Sequence, residues 1–589
     1  MDGYRMSPQQ ARLWGLQDQA APGTYRAQCV ALISGPLERT RFEAALAATV
    51  ARHELLRTAL MLLPAMTVPL QVIGDEGRVA FNWHDLSGAD ADALNKLVEA
   101  QRALPCAPDA GAVMHLALAR LAPDQHAVII DCPSLWADVQ GLRNLLSALA
   151  AAYGDDAAHG DPLQYADLAE WQCELLEAPT SEIGRDYWRR QNLDNALRAR
   201  LPRSAGADDA APFAPRSYAP SAGLPRAVLA DCAQRHGVSV QALLLAAWQV
   251  YLQRQCGAQE IVIAYTCAGR SYDELKDALG IVARSVPAHA SYDGALAFNA
   301  LAQRVDATLI ALERWQECYA TMPAADAAEQ RPQISPFAFE YRAAAATIEN
   351  AGLRWQVQNE DCCGDQFVLK LLVTDGSSDT LDCVWHYDPA ELDPRRVGYI
   401  AEGFFALLKD ALAREQAPLA TLALLGTAES AFIAAALRGD EDPRAPLCVH
   451  DMIAAHVRSR PQALALVDER QQLNYAQFFE RASRLAARLA SHGVGPEVRV
   501  ALCAERGVDL MVGMFGILLA GGAYVPIDPQ LPAARQRYIA DDSAVTLVVG
   551  LASLAGSALL EARRLVALDD DDGETAALFP KEARLRNLT

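Results

Sequence analysis

The sequence predicts an α/β protein of several domains, and three observations carry that expectation. At 589 residues the chain is too long for one core, so about two to four domains are expected. Hydrophobic residues make up 52% and charged residues 21%, the balance of an ordinary folded protein and not of a disordered one. Short apolar, strand-like runs alternate with longer runs of helical period.

From the N-terminus, residues 41–59 predict a helix, with Phe42, Ala45, Leu46, Val50 and Leu55 near helical spacing. Strands are expected at 69–73, 114–118 and 127–130, then a helix at 141–153. These belong to a first segment, residues 1–178. A second segment, 179–430, holds a stretch rich in Pro, Ala, Gly and Ser at 201–225, expected to be an exposed loop. A helix at 242–253 and a strand at 260–265 follow. Residues 431–448 read as a linker, with prolines and charges concentrated in 438–446.

The third segment, 449–589, shows helix, strand and helix patterns at short intervals. Residues 510–527 carry no charge and approach the length of a membrane span. Gly521, Gly522 and Pro526 interrupt them, so they read as a buried helix followed by a buried strand. The acidic run Asp569-Asp570-Asp571-Asp572 reads as a solvated loop, since EF-hand spacing is absent.

The net charge of -21 argues against nonspecific nucleic-acid binding and against attraction to anionic lipid. The 13 cysteines are scattered, with Cys362-Cys363 the only adjacent pair, and no C-x-x-C or zinc-ligand spacing occurs. The N-terminus carries no apolar targeting core. Reduced thiols in the cytoplasm are the expectation, with no membrane and no nucleic acid as partner.

Several motifs stand in order along the chain. Ser7-Pro8-Gln9-Gln10-Ala11-Arg12-Leu13-Trp14 opens it, and Arg52-His53-Glu54-Leu55-Leu56-Arg57-Thr58 follows. Then come Tyr165-Ala166-Asp167-Leu168-Ala169-Glu170-Trp171-Gln172, Tyr187-Trp188, a strand and turn ending Ala268-Gly269-Arg270, and residues 280–287. Together they resemble the condensation domain of nonribosomal peptide synthetases. The third segment resembles the start of an adenylation domain. It carries Leu473-Asn474-Tyr475-Ala476-Gln477-Phe478 and then Leu518-Leu519-Ala520-Gly521-Gly522-Ala523-Tyr524-Val525-Pro526-Ile527-Asp528. The phosphate loop of that family does not appear before Thr589, so a truncated adenylation domain that does not activate amino acids is expected.

The resemblance implies a two-lobed fold like chloramphenicol acetyltransferase, plus a partial α/β adenylation subdomain. It implies a tunnel between the lobes, where carrier proteins deliver phosphopantetheine-bound donor and acceptor from opposite faces. Acyl or peptidyl carrier domains upstream and downstream, and other synthetase modules, are the implied partners. The chain itself is expected to bind no cofactor and no metal. It contains no carrier serine motif of its own.

One motif departs from the family. The junction after the strand at 127–130 reads Pro133-Ser134-Leu135-Trp136-Ala137-Asp138-Val139, where the family has His-His-x-x-x-Asp-Gly. Ser134 takes the place of the supposed catalytic histidine. The reaction joins an amine to a thioester. A free α-amino group titrates at about 7.7–8.0, so part of it is already neutral near pH 7. Bringing two tethered reactants together supplies up to about 7–11 kcal/mol. A histidine base adds typically about 10²–10⁴-fold, so its loss slows the reaction without abolishing it.

A serine hydroxyl is no base at neutral pH. It can orient an amine or donate to an oxyanion, or it can simply cap a turn. Pro133, Trp136 and Val139 are candidates for lining the tunnel, Trp136 equally a core residue. Asp138 is implied to be a structural residue paired with Arg270 across the lobes, because a buried carboxylate needs a partner. Val139 tolerates positive φ poorly, so the turn is expected to use ordinary backbone angles.

A heterocyclisation subtype would need an aspartate at position 133, and Asp131 lies two residues early. Cys132 reads as a core thiol more readily than as a nucleophile. His126 is too far along the strand to complete a triad with Ser134 and Asp138, and no Gly-x-Ser-x-Gly elbow occurs. His53 is expected to end a helix in a polar network. The leading reading is a condensation domain lacking the usual histidine. The alternatives are a platform that docks carriers or tailoring enzymes, and a condensation domain that also alters its acceptor.

Overall fold

The computed structural model describes residues 3–569, apart from 65, 91, 107–108, 110–111, 156–160, 192, 204–210, 222, 320–334, 377 and 439–446. Of the expected linker at 431–448, residues 431–438 instead belong to a helix, Thr427–Arg438, while 439–446, and all of the acidic run but Asp569, lie outside the described residues. The chain forms two compact units, 1–438 and 439–589.

In the first unit α1 (Pro8–Leu16) leads to β1 (Arg26–Ser34), α2 (Arg39–Arg52), β2 (Val79–Asp85), β3 (Met114–Ala122), β4 (Gln125–Pro133), α3 (Val139–Tyr153) and α4 (Tyr165–Glu177). Then come β5 (Arg216–Tyr218), α5 (Val240–Cys256), β6 (Glu260–Cys267), β7 (Arg284–Ser291) and α6 (Phe298–Trp315). The unit continues with β8 (Phe337–Ala343), β9 (Ile348–Asn350), β10 (Leu353–Cys362), β11 (Leu369–Asp375), β12 (Thr380–Tyr387) and α7 (Pro394–Ala413). Two sheets result. The first runs β9-β10-β1-β4-β3-β2, antiparallel except for the parallel β2–β3 edge. The second is mixed and runs β7-β6-β8-β11-β12-β5.

β4 shows why the strand signal was clear. It lies inside the first sheet between β1 and β3, and His126 through Cys132 are all buried. Both faces are covered: Val128 and Ile130 belong to one core, while Ile129 packs toward Leu94, Leu97 and Val98. Such a strand reads as a continuous apolar run instead of alternating. α5 is buried along nearly its whole length, capped by Ser239 and stopped by Gly257 at φ +63°.

Two expectations need correction. The first helix ends at Arg52, not at residue 59, because His53 leaves helical geometry at φ -112°, ψ 108°. A 3-10 turn, Glu54–Arg57, and a short strand, Thr58–Met61, follow. Leu55 and Leu56 are buried in that turn, so the apolar period seemed to continue. The stretch at 201–225 is not simply an exposed loop. Leu201 and Phe213 are buried, and β5 joins the second sheet.

The lobes also interleave. β10 comes from the second half of the unit, yet it pairs with β1 and completes the first sheet. Leu275, Ala278, Leu279, Ile281 and Val282 lie in the first lobe's core, although β6 and β7 around them belong to the second sheet. The boundary expected near residue 178 therefore does not separate the two sheets.

The second unit carries a parallel four-stranded sheet. Arg499–Cys503 lies between Ala523–Pro526 and Leu547–Gly550, with Arg564–Ala567 outermost. The uncharged stretch at 510–527 is a helix, Val508–Leu519, a turn through Gly521 at φ +84°, and a strand. Among the described residues no helix is long and apolar enough to cross a membrane.

The return of residues 275–282 into the first lobe depends on Gly280. It sits at φ +102°, and a Cβ there would come within 2.1 Å of the Tyr165 ring. Gly280→Ala is expected to lower stability by about 3 kcal/mol or more. Gly237→Ala serves as control: its φ is +65° but nothing lies within 4 Å of the added carbon, so about 1 kcal/mol is expected. Urea unfolding of the full chain checks the difference.

Candidate active site

The opening motif is a helix start that also holds two distant loops. Ser7 caps α1, with Pro8 in the first turn and Gln10 closing a reciprocal capping box. Gln10 Nε2 then donates to Leu135 O at 3.0 Å, and Gln9 Nε2 donates to Val282 O at 3.0 Å. Tyr165, from the third motif, donates its hydroxyl to Ile281 O at 2.7 Å and lies 2.8 Å from Ser7 Oγ. These motifs thus brace the β4–α3 turn and the 280–283 segment together. The second motif contributes Leu55 and Leu56 to the core. His53 stays neutral at pH 7, its pKa pushed down to about 4 by burial and by Arg52.

The turn between β4 and α3 uses ordinary backbone angles. Val139 begins the helix, and Asp138 caps it from an extended conformation at φ -92°, ψ 179°. The Asp138 carboxylate accepts from Gly141 N at 2.6 Å, Val282 N at 2.8 Å and Ala283 N at 2.7 Å. Arg270, just beyond β6, donates to both carboxylate oxygens at 2.8 and 3.0 Å. The implied Asp138–Arg270 contact is therefore present, as a buried bidentate pair. Burial alone would raise the Asp138 carboxyl, but Arg270 and the backbone donors hold it below its ordinary range.

One cavity opens beside this clasp, and a second shares part of its wall. The first, about 180 Å³, is lined by Asp138, Val139 and Arg270 among others. The second, about 370 Å³, is lined by Thr24, Arg102, Asp361 and His386 among others. Cys362, Phe367 and Lys370 line both. Lys370 Nζ donates to Glu340 Oε2. Burial would raise Glu340, but Lys370 and Arg342 hold it down to about 2. Arg143 on α3 pairs with Glu360 on β10, a second ionic tie across the halves.

Ser134 lines neither cavity. It is fully buried, its backbone N donates to Tyr25 O, and its Oγ lies 3.7 Å from Cys362 Sγ. Cys362, unlike the serine, lines both cavities. The Cys362 thiol is pushed up to about 12 by burial, so it is not a thiolate at neutral pH. Of the tunnel-lining candidates, Val139 lines the first cavity. Trp136 is corrected to a core residue, 1% exposed among the apolar side chains of the first lobe. Pro133 pairs with Arg26 at the end of β4 and lines neither cavity.

The other candidates have structural surroundings. Asp131 is held by Arg26 and by Gln28 Nε2 at 2.9 Å, so it does not stand in for the aspartate at position 133. Cys132 is buried in the first core, where burial raises its thiol. His126 lies at the opposite end of β4, against Trp83. Cys232, His236 and Glu415 come together in the second lobe, but Glu415 is already paired with Arg235.

Sequence reasoning missed Lys370, Glu340 and Cys362. A signal existed for one of them. Lys370 stands between Leu369 and Leu371, both fully buried, so strand alternation turns a charge toward the opposite face.

Comparison with known proteins places this geometry. The Condensation domain family model matches residues 1–434, and the AMP-binding enzyme model matches residues 453–586. Tyrocidine synthase 3 of Brevibacillus parabrevis is 26% identical over 566 residues, covering 94% of this chain but 8% of its own length. The chain thus spans less than a tenth of that relative. A four-domain nonribosomal peptide synthetase bound to AMP and glycine superposes at TM-score 0.68 with 17% identity, over 97% of this chain and 45% of that one. The X-domain solved with OxyB, from teicoplanin biosynthesis, superposes at 0.59 with 21% identity, over 72% of this chain and 96% of that one.

Asp138→Asn replaces an acceptor with a donor that faces backbone N–H groups and Arg270. The expected loss at pH 7 is about 3–5 kcal/mol. Because the folded pKa of Asp138 is depressed, its contribution is present above the unfolded value and lost as pH falls through the folded one. The gap between wild type and Asp138→Asn should therefore narrow below about pH 4. Urea unfolding at pH 7 and pH 3.5 measures both.

Proposed function

The chain belongs to the condensation-domain family, with an AMP-binding region after it, and from that premise we propose that it forms amide bonds between carrier-bound substrates. One pantetheine arm brings an acyl or peptidyl thioester, and another brings an aminoacyl amine. The observation that carries this reading is the pair of cavities that share Cys362, Phe367 and Lys370, the first of them lined by the Asp138–Arg270 clasp. Two arms entering from the two cavities would meet at that shared wall.

On this reading the clasp sets the geometry and takes no part in bond making. Asp138 has both oxygens engaged and Arg270 is committed to it. Positioning supplies most of the acceleration. Ser134 acts at one remove, as support for Cys362. Carrier domains and neighbouring modules are the partners, and phosphopantetheine arrives on the carriers.

A second reading is a docking platform for carriers or tailoring enzymes. The burial of Ser134 favours it, because the position of the family's histidine offers no group to a ligand.

The two readings separate in one assay. The full chain is incubated with one carrier loaded with an acyl thioester and one with an aminoacyl thioester, and the carriers are analysed by mass spectrometry. Amide product on the acceptor carrier is expected, with Ser134→Ala within about threefold of wild type. Absence of product, beside an active condensation domain as control, would leave the platform.

A further inference from the structure

The face of the second sheet turned away from its core carries a polar row. Strand register sets Ala338 on β8, Lys370 on β11, His386 on β12 and Ser217 on β5 directly across from one another. Their strand neighbours Leu369, Leu371, Trp385 and Tyr387 belong to the second core. Alternation therefore puts Lys370 and His386 side by side on the opposite face. Both line the second cavity, and Lys370 also lines the first.

The two side chains are held differently. Glu340 on β8 fixes the Lys370 ammonium and leaves it charged: burial alone would discharge it, but Glu340 raises its pKa. The His386 ring is fixed through Nδ1, which lies 3.0 Å from Ser217 Oγ. Nε2 has no hydrogen-bond partner among the described residues. Burial and the neighbouring ammonium lower the ring's pKa to about 4, so it is neutral at pH 7 and able to accept a proton.

We propose that His386 and Lys370, from the second lobe, serve amide formation in place of a histidine at position 134, His386 as proton acceptor and Lys370 as donor to the oxyanion. The inference rests on the condensation reading above. The amine nitrogen bonds to the thioester carbonyl carbon, and the ammonium of Lys370 donates to the oxyanion that forms. One amine proton passes to His386 Nε2. The C–S bond then breaks, and the same proton goes to the departing pantetheine thiolate, leaving amide, free thiol and a neutral ring. Charge on the oxyanion raises the proton affinity of the nearby ring just as the proton moves.

The test uses the full chain and two loaded carriers, with single-turnover rates. His386→Ala is expected to slow amide formation about 10²–10⁴-fold, and added imidazole should restore part of the rate. His386→Gln, which can keep a contact with Ser217, should be as slow, and it holds the ring's space if the alanine variant folds poorly. Replacing Lys370 and Glu340 together by methionine removes both charges without stranding a carboxylate, and should slow the reaction about 10²-fold. A His386→Ala rate within threefold of wild type, or a loss that imidazole does not repair while His386→Gln is active, overturns the proposal. A wild-type chain that forms no amide overturns the condensation reading itself.

Discussion

The Asp138 carboxylate is the point to which both lobes are referred. Five hydrogen bonds converge on its two oxygens, two from Arg270 and three from backbone N–H groups of Gly141, Val282 and Ala283. Such a group is costly to bury unless every lone pair is met. Here all donors come from segments that must be in place together. Gly141 belongs to the start of α3, Val282 and Ala283 to the returning segment, and Arg270 to the end of β6. A shift of any one strands a buried charge, so the arrangement is close to all-or-none.

The cavities inherit their position from that constraint. Arg270, Ile281, Ala283, Arg284 and Ser285 line the first cavity, and β10 carries Cys362 to the wall that both cavities share. β10 reaches that wall because it crosses into the first sheet, and Arg143–Glu360 ties it to α3. The Asp138–Arg270 clasp is thus in place although Ser134 stands where the family has a histidine. On the inference drawn above, chemistry is presented from the face of the second sheet and not from the end of β4.

Much of the fold was legible in the sequence, for a physical reason. β4 and α5 are buried on nearly all sides, so their apolar runs are long and unambiguous. The Ser7–Gln10 motif could be matched because capping fixes residue types at fixed spacing. Asp138 and Arg270 could be paired because the family resemblance implies that contact, and a buried carboxylate needs such a partner. What depends on long-range register was not legible. The crossing of β10 and the row from Ala338 to Ser217 arise from pairings between distant segments, and no local pattern encodes them. Ser134 could not be placed either, since a small hydroxyl suits a lined cavity and a packed interior alike.

The most direct test of the account is a double-mutant cycle on the clasp. Asp138→Ala, Arg270→Ala and the double variant are compared with wild type by urea unfolding at pH 7. The account predicts a coupling energy of about 2–3 kcal/mol, with the double variant more stable than the additive sum of the singles. A coupling below about 0.5 kcal/mol would mean that the two side chains act independently, and the clasp would not be what sets the junction.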